Sequence, residues 1–392
     1  MKVVVVVPWA PNLMRPRSLR LIQHLSDRHE VHVVGAAWSE HDERTLRDLG
    51  GSSYRVVRMS HSSAALRAAW CLVTGKGSLQ QAYMSSKEFA LAIDNEIEKV
   101  SPDLVYFNVI RSAHLLPRER RCVAVIDLDE TRSNYYGMLK NMSRNPLWRF
   151  VARTEESRMK RAEEAVYCDF DAVLLSSPAD AYTAGEGAHL VRSPHLVGHN
   201  EWTFHDDSRE QSILFVGRQS YRANFEAVIW FARKVFARLA EVHPNVKLRI
   251  IGERPVRAVR RLASERVEVS GRVPEVGSYY AAADVSVVPI QMATGVQMKF
   301  IESLASGVPT VCTPVVANGA GASAGAHCLV AESPGEWSAA VSSLLTDRDL
   351  AMRLSRAGRK WAAANYSDAE ILASLDLAID KARVVYRNRK AT

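Results

Sequence analysis

The stretch 295–309 reads Gly-Val-Gln-Met-Lys-Phe-Ile-Glu-Ser-Leu-Ala-Ser-Gly-Val-Pro and combines residue types that suit phosphate and hydroxyl binding. Gly295 allows close approach of backbone to a ligand, and the helix predicted after it offers unpaired N–H groups and a positive dipole end. Lys299 adds a full charge, and Glu302 is the acid of this short helix. A lysine for phosphate and an acid for ribose hydroxyls are the minimum for binding a nucleoside diphosphate. The same two residues could instead form a surface salt bridge.

A second cation, Arg218, follows Gly217 at the end of a strand predicted over 212–216, and the stretch containing Lys299 follows a strand predicted over 285–288. Open α/β sheets bind ligands at the carboxyl ends of their strands, so we expect both cations to face one site. A bidentate arginine–phosphate contact contributes about 1.5–3 kcal/mol. The two cations and the helix N-terminus predict a diphosphate site without metal or other cofactor. A surface arginine is the alternative for Arg218.

Three acids, Asp127, Asp129 and Glu130, follow an apolar strand predicted over 122–126. Carboxylates at a strand end suit binding of sugar hydroxyls or deprotonation of an acceptor. Asp129 is the preferred candidate for this role, with Asp127 beside it. The alternative is that these acids cap the next predicted helix.

Composition and charge exclude several classes of protein. The chain has 392 residues, 47% of them hydrophobic, which is enough for two domains. We expect no membrane-spanning segment, because no run of eighteen apolar residues occurs. The five cysteines are scattered and form no CxxC pair, which indicates free thiols in a reducing cytoplasm rather than disulfides or a metal site.

The net charge of +8 fits acidic small molecules, an anionic membrane surface or nucleic acid. No nucleic-acid-binding signature accompanies the charge, so nucleic acid is not expected as a partner. A basic face on the N-terminal half would allow peripheral association with the inner face of a membrane, and an ordinary solvated surface is the alternative. The arginines of this predicted face are Arg15, Arg17, Arg20, Arg118, Arg120 and Arg121.

Two cycles of alternating strands and helices predict two doubly wound α/β domains. The apolar run 3–7 is typical of a parallel strand buried on both faces. Further strands are predicted at 31–34, 54–57, 104–107, 122–126 and 172–175 in the first cycle, and at 212–216, 247–251, 267–269, 285–288, 310–312 and 328–330 in the second. The main helices are predicted at 17–28, 87–100, 146–167, 224–242 with Asn224 as N-cap, 255–263, 277–282, 334–345, 348–365 and 368–388.

Five ordered segments between 212 and 312 resemble the donor domain of retaining glycosyltransferases of family 4, which have the GT-B fold. The segments are 213–218 (Ile-Leu-Phe-Val-Gly-Arg) with Tyr221 and 224–227, 248–252 (Leu-Arg-Ile-Ile-Gly), 269–274 (Val-Ser-Gly-Arg-Val-Pro), 280–289 (Tyr-Ala-Ala-Ala-Asp-Val-Ser-Val-Val-Pro) and 299–309, which ends in Gly-Val-Pro. The N-terminal half matches more loosely, and its segment 125–130 (Val-Ile-Asp-Leu-Asp-Glu) resembles a subgroup associated with exopolysaccharide assembly.

The resemblance implies two Rossmann-like domains that face each other across a cleft. It implies an N-terminal acceptor-binding domain over 1–195, a linker over 196–211, a donor-binding domain over 212–366 and a C-terminal helix over 367–392 that crosses back to the first domain.

The resemblance also implies roles for individual residues. Arg218 and Lys299 hold the donor diphosphate and, with Asp127 and Asp129, are the catalytic candidates. Glu302 holds the ribose hydroxyls. The remaining donor-site residues are Gly217 in the Arg218 loop, Arg272 and Val273 beside the base, and Gly295, Val296 and Gln297 with backbone N–H groups near phosphate or sugar.

Two positions depart from the family pattern. The family often has two glutamates separated by seven residues, and Thr294 stands where the first would be, which leaves the donor sugar open. The glycine pair usual in the first N-terminal loop is absent from 11–17. Arg15 or Arg17 could replace it with a side chain, or the loop could be a purely structural turn.

The residues and the resemblance together predict a cytoplasmic, hexosyltransferase-type glycosyltransferase. The resemblance alone implies retention of anomeric configuration and a role in polysaccharide biosynthesis. The enzyme would move a sugar from a UDP or GDP sugar to a hydroxyl on a glycan, a lipid-linked sugar or a small molecule. Two alternatives remain open. A nucleotide-sugar 2-epimerase on the same fold would convert the donor without an acceptor, and a non-catalytic partner subunit would keep the fold and bind neither UDP nor GDP.

Overall fold

A computed structural model of the chain describes residues 1–11, 16–75, 77–142, 145–185, 187–194, 202, 204 and 210–391. The chain divides into two compact units. The first unit consists of Met1–Pro194 and Asp368–Thr392, and the second consists of His195–Ser367. Most of the predicted linker, 196–211, lies outside the described residues.

The first unit contains a parallel sheet of seven strands. They are β1 (Lys2–Val7), β2 (Glu30–Ala37), β3 (Ser53–Arg58), β4 (Leu104–Asn108), β5 (Val123–Asp129), β6 (Ala172–Leu175) and β7 (Ala188–Leu190). Their order in the sheet is β3-β2-β1-β4-β5-β6-β7. Successive valines of β1 point into two different core clusters, Val3 and Val5 into one and Val4 and Val6 into the other. Burial on both faces explains why this strand reads as a continuous apolar run.

Helices connect these strands, as parallel pairing requires. They are α1 (Pro16–Arg28), α2 (Glu40–Arg47), α3 (His61–Thr74), α4 (Leu79–Met84), α5 (Lys87–Val100), α6 (Ile110–Ala113), α7 (Arg132–Met142), α8 (Pro146–Asp169) and α9 (Pro178–Ala184). The start of α8 is well defined, because the Asn145 side chain accepts hydrogen bonds from the N–H groups of Leu147 and Trp148 and Pro146 occupies the first turn.

The second unit contains a parallel sheet of six strands. They are β8 (Gln211–Val216), β9 (Val246–Ile251), β10 (Val267–Ser270), β11 (Val285–Val288), β12 (Thr310–Cys312) and β13 (Leu329–Val330). Their order is β10-β9-β8-β11-β12-β13. Because β8 and β11 are neighbours, the loops that follow them start side by side at one edge of the sheet.

The helices of the second unit are α10 (Arg222–Phe231), α11 (Ala237–Val242), α12 (Arg257–Arg260), α13 (Gly277–Ala281), α14 (Met298–Ala305), α15 (Pro314–Ala320), α16 (Pro334–Thr346) and α17 (Arg348–Tyr366). A π-helical turn, Ala232–Phe236, joins α10 to α11. The prediction of Asn224 as a helix N-cap is wrong, because Tyr221 is the N-cap of α10 and Asn224 is buried inside the helix. Its Nδ2 donates to the Arg218 carbonyl oxygen at 2.9 Å and so fixes the preceding loop.

The last helix, α18 (Asp368–Ala391), belongs to the first unit. It contributes Ile371, Leu375 and Ile379 to the same core cluster as β1. On its polar side, Asp376 pairs with His24 and Arg28 of α1. No helix in the described part of the chain is long and apolar enough to cross a membrane.

Three of the six arginines predicted to form a basic face on the N-terminal half pair with carboxylates. Arg17 pairs with Asp127 inside the first unit. Arg20 pairs with Asp368 of α18, and Arg120 pairs with the buried carboxylate of Asp171. Arg15 lies outside the described residues. Arg17, Arg20 and Arg120 hold elements of the first unit together, and their partner carboxylates neutralise their charge locally.

Candidate functional site

Two glycines bring the ends of β8 and β9 into direct contact. The Gly217 N–H donates to the Ile251 carbonyl oxygen at 2.9 Å. A Cβ on Gly252 would lie 1.9 Å from the Gly217 carbonyl oxygen, a separation that no side chain tolerates. A Cβ on Gly217 would lie 3.0 Å from Cε of Lys299. Packing therefore requires glycine at position 252, and Gly217 lies beside the side chain of Lys299.

Lys299 lies in the first turn of α14, next to the N-terminus of the helix. Gln297 is the N-cap, and its side chain makes no capping hydrogen bond. Instead, its Oε1 accepts a hydrogen bond from Lys299 Nζ at 3.2 Å. Burial lowers the pKa of Lys299 to about 8, and the Coulomb attraction of Glu302 opposes this effect. A lysine that is partly stripped of water beside a helix N-terminus is well placed to gain an anionic partner.

Glu302 lies one turn after Lys299 and is held by a buried tyrosine. Tyr280 donates its hydroxyl to Glu302 Oε2 at 3.2 Å, and the same hydroxyl lies 3.3 Å from the Lys299 carbonyl oxygen. Burial raises the pKa of Glu302, whereas the Tyr280 hydrogen bond and the Lys299 charge oppose that rise. Among the described residues, Lys299 and Glu302 form no ion pair, so the surface salt bridge considered from sequence is absent there.

Arg218 has a carboxylate partner in the next loop of the sheet. Its Nε lies 3.1 Å from Glu253 Oε1 and also donates to Ser220 Oγ at 3.1 Å. The backbone joins the same two loops, since Gln219 N–H donates to the Glu253 carbonyl oxygen at 2.9 Å. The Arg218 side chain remains 46% exposed, so a ligand can reach it.

The remaining predicted donor-site residues lie on loops at the carboxyl ends of the strands. Gly295 has φ of 63°, in the left-handed region that glycine adopts at little cost. Val296 and Gln297 lead from Gly295 into α14 and are partly buried. Arg272 and Val273 follow β10, at the edge strand of the sheet, and Arg272 is exposed. Among the predicted donor-site residues, the structure thus brings Gly217 and Lys299 together, with Glu302 one turn further along α14.

In the first unit, Asp127 is completely buried in a network of hydrogen bonds. Its carboxylate accepts from Arg17, with Nη2 at 2.7 Å from Oδ1, from the Tyr106 hydroxyl at 3.2 Å and from the Asp129 N–H at 3.1 Å. Arg17 also donates to the Val191 carbonyl oxygen. Burial raises the pKa of Asp127, and the Arg17 guanidinium opposes that rise.

These contacts correct two expectations. Asp127 does not follow a strand but lies inside β5, where Arg17 compensates its charge, so its carboxylate faces protein rather than a ligand. Arg17 cannot replace the missing glycines with a phosphate contact from this position, because it is 4% exposed and bound to Asp127. The pair holds the start of α1 to the end of β5.

Asp129 is the exposed acid at the end of β5. It adopts φ of 66°, uncommon for a residue other than glycine, and the pairing of β5 with β6 shifts register between Asp127 and Asp129. The carbonyl oxygen of Asp129 accepts from Ser176 N–H and Oγ, both at 2.8 Å. Its side chain is 46% exposed, with Oδ1 3.5 Å from Arg17 Nε. Glu130 instead pairs with Arg132 at 2.8 Å.

Sequence reasoning missed three residues of the second-unit site: Glu253, Tyr280 and Asn224 in its observed role. Glu253 follows Gly252 after β9, so the strand-end argument that identified Arg218 applies equally to it. Tyr280 and Asn224 act through hydrogen bonds to atoms that are distant in sequence or on the backbone, and no spacing signal marks such contacts.

Residues 210–347 match the family model described as "Glycosyl transferases group 1". This range includes the whole sheet of the second unit and the Lys299 site. The match supports a place for this domain in the glycosyltransferase superfamily and indicates a transferase. Comparison of the sequence with curated proteins finds no match.

Solved structures with the same architecture cover nearly the whole chain. Anabaena Alr3699/HepE in complex with UDP has a TM-score of 0.66 and 14% identity over 97% of this chain and 100% of that one. Sucrose-phosphate synthase from Thermosynechococcus elongatus has a TM-score of 0.66 and 16% identity over 100% of both chains. S. aureus TarM has a TM-score of 0.67 and 10% identity over 96% of this chain and 98% of that one. At these identities the likeness shows the fold, and it confirms the predicted GT-B class.

Proposed function

We propose that the protein transfers a hexose from a nucleoside diphosphate sugar to a hydroxyl acceptor, with retention of anomeric configuration. The observation that carries this proposal is the position of the Lys299 side chain beside Gly217, where an added Cβ would lie 3.0 Å from Lys299 Cε, next to the N-terminus of α14. It joins a cation, a helix dipole and a close-packed glycine loop at the carboxyl end of a parallel sheet. The same residues lie within the range that matches the glycosyltransferase family model.

Each part of the site then has a chemical task. Lys299 and the free N–H groups of α14 bind the diphosphate and stabilise the negative charge that grows on it as the sugar leaves. Arg218 exchanges Glu253 for a phosphate oxygen, which is an ion-pair exchange that costs little at a half-exposed position. Glu302, oriented by Tyr280, accepts hydrogen bonds from the ribose hydroxyls.

One of the solved structures supports a narrower class of donor, and an acid of the first unit supports a position for the acceptor. HepE has been solved with UDP and with UDP-glucose, which supports a uridine diphosphate hexose as donor here. In the first unit, Asp129 offers a carboxylate, 46% exposed, that suits an acceptor hydroxyl. Asp127, which Arg17 holds in place, positions Asp129 by accepting a hydrogen bond from its N–H. The acceptor class is a glycan, a lipid-linked sugar or a small molecule of polysaccharide biosynthesis.

Binding and turnover of nucleotide sugars test this function. A panel of UDP and GDP sugars, scored by released diphosphate and by calorimetry with UDP and GDP, should identify one base and one sugar. We predict that Lys299→Ala lowers turnover by about 100-fold or more, the scale of losing one preorganised charge-stabilising group, with the thermal melt nearly unchanged. Lys234→Ala, at an exposed position of the same unit, is the control and should keep full activity.

Three results would contradict the proposal. Absence of binding to both UDP and GDP would indicate a non-catalytic partner subunit. Conversion of the donor to an epimer without an acceptor would indicate an epimerase. A large loss of stability in Lys299→Ala would show that Lys299 serves folding rather than catalysis.

A further inference from the structure

Exposed hydrophobic side chains concentrate on two helices of the first unit. Of the fifteen large hydrophobic residues that are exposed in the described part of the chain, seven lie on α3 and on the first turns of α8. These seven residues define the α3–α8 patch: Leu66, Trp70, Leu72, Val73, Leu147, Trp148 and Phe150. Trp70 is 69% exposed and Phe150 is 64% exposed, a costly arrangement for aromatic side chains in water.

The C-terminal end of α3 lies near α8. A Cβ on Gly75, at the end of α3, would lie 4.0 Å from Arg158 Nη2 of α8. Glu155 of α8 accepts a hydrogen bond from Leu79 N–H, at the start of α4, at 2.9 Å, and pairs with Arg158 at 3.2 Å. The end of α3 therefore lies beside the part of α8 that is about two turns beyond Phe150.

The sequence around the patch contains no acidic residue. Asp and Glu make up 43 of the 392 residues, yet neither occurs in 49–87 or in 131–154, the segments that contain α3 and the start of α8. The same two segments contain ten lysines and arginines. Exposed apolar groups interspersed with cations and free of acids are the composition that suits an anionic lipid surface.

A cavity of about 580 Å³ at the start of α8 adds a place for an anionic group. It is lined by Lys140, Asn141, Pro146, Arg149, Phe150 and Arg153. Lys140 pairs with Glu156 at 2.5 Å, whereas Arg149 and Arg153 form no ion pair among the described residues. Two guanidinium groups beside an exposed aromatic ring suit a phosphate that is attached to an apolar body.

We propose that the α3–α8 patch docks the protein on an anionic lipid bilayer. The side chains of Trp70, Trp148 and Phe150 enter the boundary between head groups and acyl chains, and Arg149 and Arg153 bind lipid phosphates in the cavity. A second copy of the chain fits this surface poorly, because a symmetric contact would set the same cations against each other. The surface is distinct from the arginine face predicted from sequence, and its use does not depend on the proposed sugar transfer.

Flotation of the full-length protein with vesicles tests the docking. We expect binding to an equal mixture of phosphatidylcholine and phosphatidylglycerol, little binding to phosphatidylcholine alone, and weaker binding at high salt. The double variant Trp148→Ser with Phe150→Ser should lower the partition coefficient at least about tenfold. Arg149→Gln and Arg153→Gln should each lower it about fivefold.

Controls and contrary outcomes separate this proposal from others. Tyr182→Ser and Leu91→Ser, at exposed positions of the same unit outside the patch, should bind vesicles like the unaltered protein. Circular dichroism and UDP calorimetry on every variant report folding and donor binding independently of lipid. Equal vesicle binding by the patch variants and the unaltered protein would overturn the proposal. So would a dimer in sedimentation that Trp148→Ser dissociates, or binding of free inorganic phosphate without binding of vesicles.

Discussion

Lys299 is held in an environment that opposes its charge until an anion arrives. Burial lowers its pKa to about 8, while the ordinary value is 10.5. Among the described residues, its amine donates to one side-chain acceptor, Gln297 Oε1, and an acid lies one turn further along the helix. Burial penalises the charged form of Lys299 in the free protein. The negative charge of a bound diphosphate compensates this penalty and raises the pKa of Lys299 again. The lysine is therefore more responsive to a phosphate ligand than a fully hydrated surface lysine.

This environment predicts a pH dependence of nucleoside diphosphate binding. Below about pH 8 Lys299 is protonated and binding is strong, and above it the proton is lost and affinity falls by up to about tenfold per pH unit. Calorimetry with UDP between pH 7 and pH 9.5, a range that spans the pKa of about 8, measures the effect. Lys299→Arg keeps its charge over the whole range and should remove the inflection. An inflection that persists in Lys299→Arg would assign the titration to another group.

The charged residues of the candidate sites were predictable from sequence, and most of their partners were not. Arg218 and Lys299 follow apolar strands, and strand ends of a parallel sheet collect ligand-binding groups. Asp127 was identified by the same argument, yet it lies in a buried ion pair with Arg17, 110 positions away in sequence. Whether a carboxylate faces a ligand or an internal arginine depends on such long-range contacts, which neither periodicity nor spacing reveals.

At the scale of elements, the packing of two loops depends on glycine. We predict that Gly252→Ala destabilises the protein by roughly 1–3 kcal/mol or more and weakens UDP binding, because its Cβ would overlap the Gly217 carbonyl oxygen. Gly271→Ala is the matched control, since nothing lies within 4 Å of its added Cβ, and its stability should change by less than about 0.5 kcal/mol. Urea unfolding and calorimetry measure both effects. Equal stability of the two variants would show that the β8 and β9 loops do not depend on this contact.

Strands were predicted more accurately than the helices between them. Strands buried on both faces are continuous apolar runs, and β6, β11 and β12 were predicted to the residue. The helix α2 was missed because eight polar-rich residues, with Leu46 alone buried, give little periodic signal. The helix α3 was missed for the opposite reason: its apolar residues surround the helix instead of forming one stripe, because much of that surface is exposed.

At the scale of the whole molecule, each unit has its own sheet and its own core, and the chain ends in the unit where it began. The core cluster of the second unit contains no residue of α18, whereas one core cluster of the first unit contains five. Those residues are Ile371, Leu375, Ala378, Ile379 and Ala382. The helix α18 therefore supplies part of the core of the first unit.

Two leucines on α18 test this contribution as a matched pair. Leu375 is fully buried against the first sheet, and Leu377 is 57% exposed two positions later. Leu375→Ala should lower the free energy of unfolding by about 2–5 kcal/mol, because it leaves a cavity in the core. Leu377→Ala should change it by less than about 0.5 kcal/mol.

Hydrogen exchange locates the effect of these variants in the molecule. In Leu375→Ala, protection should fall in β5 and β6, which α18 contacts, because these strands lose packing support. Protection in β8 and β11 should not fall first, since the core cluster of the second unit includes no α18 residue. Loss of protection confined to the second unit would contradict the assignment of α18 to the first. The exchange pattern thus reports which unit the end of the chain stabilises, independently of any catalytic assay.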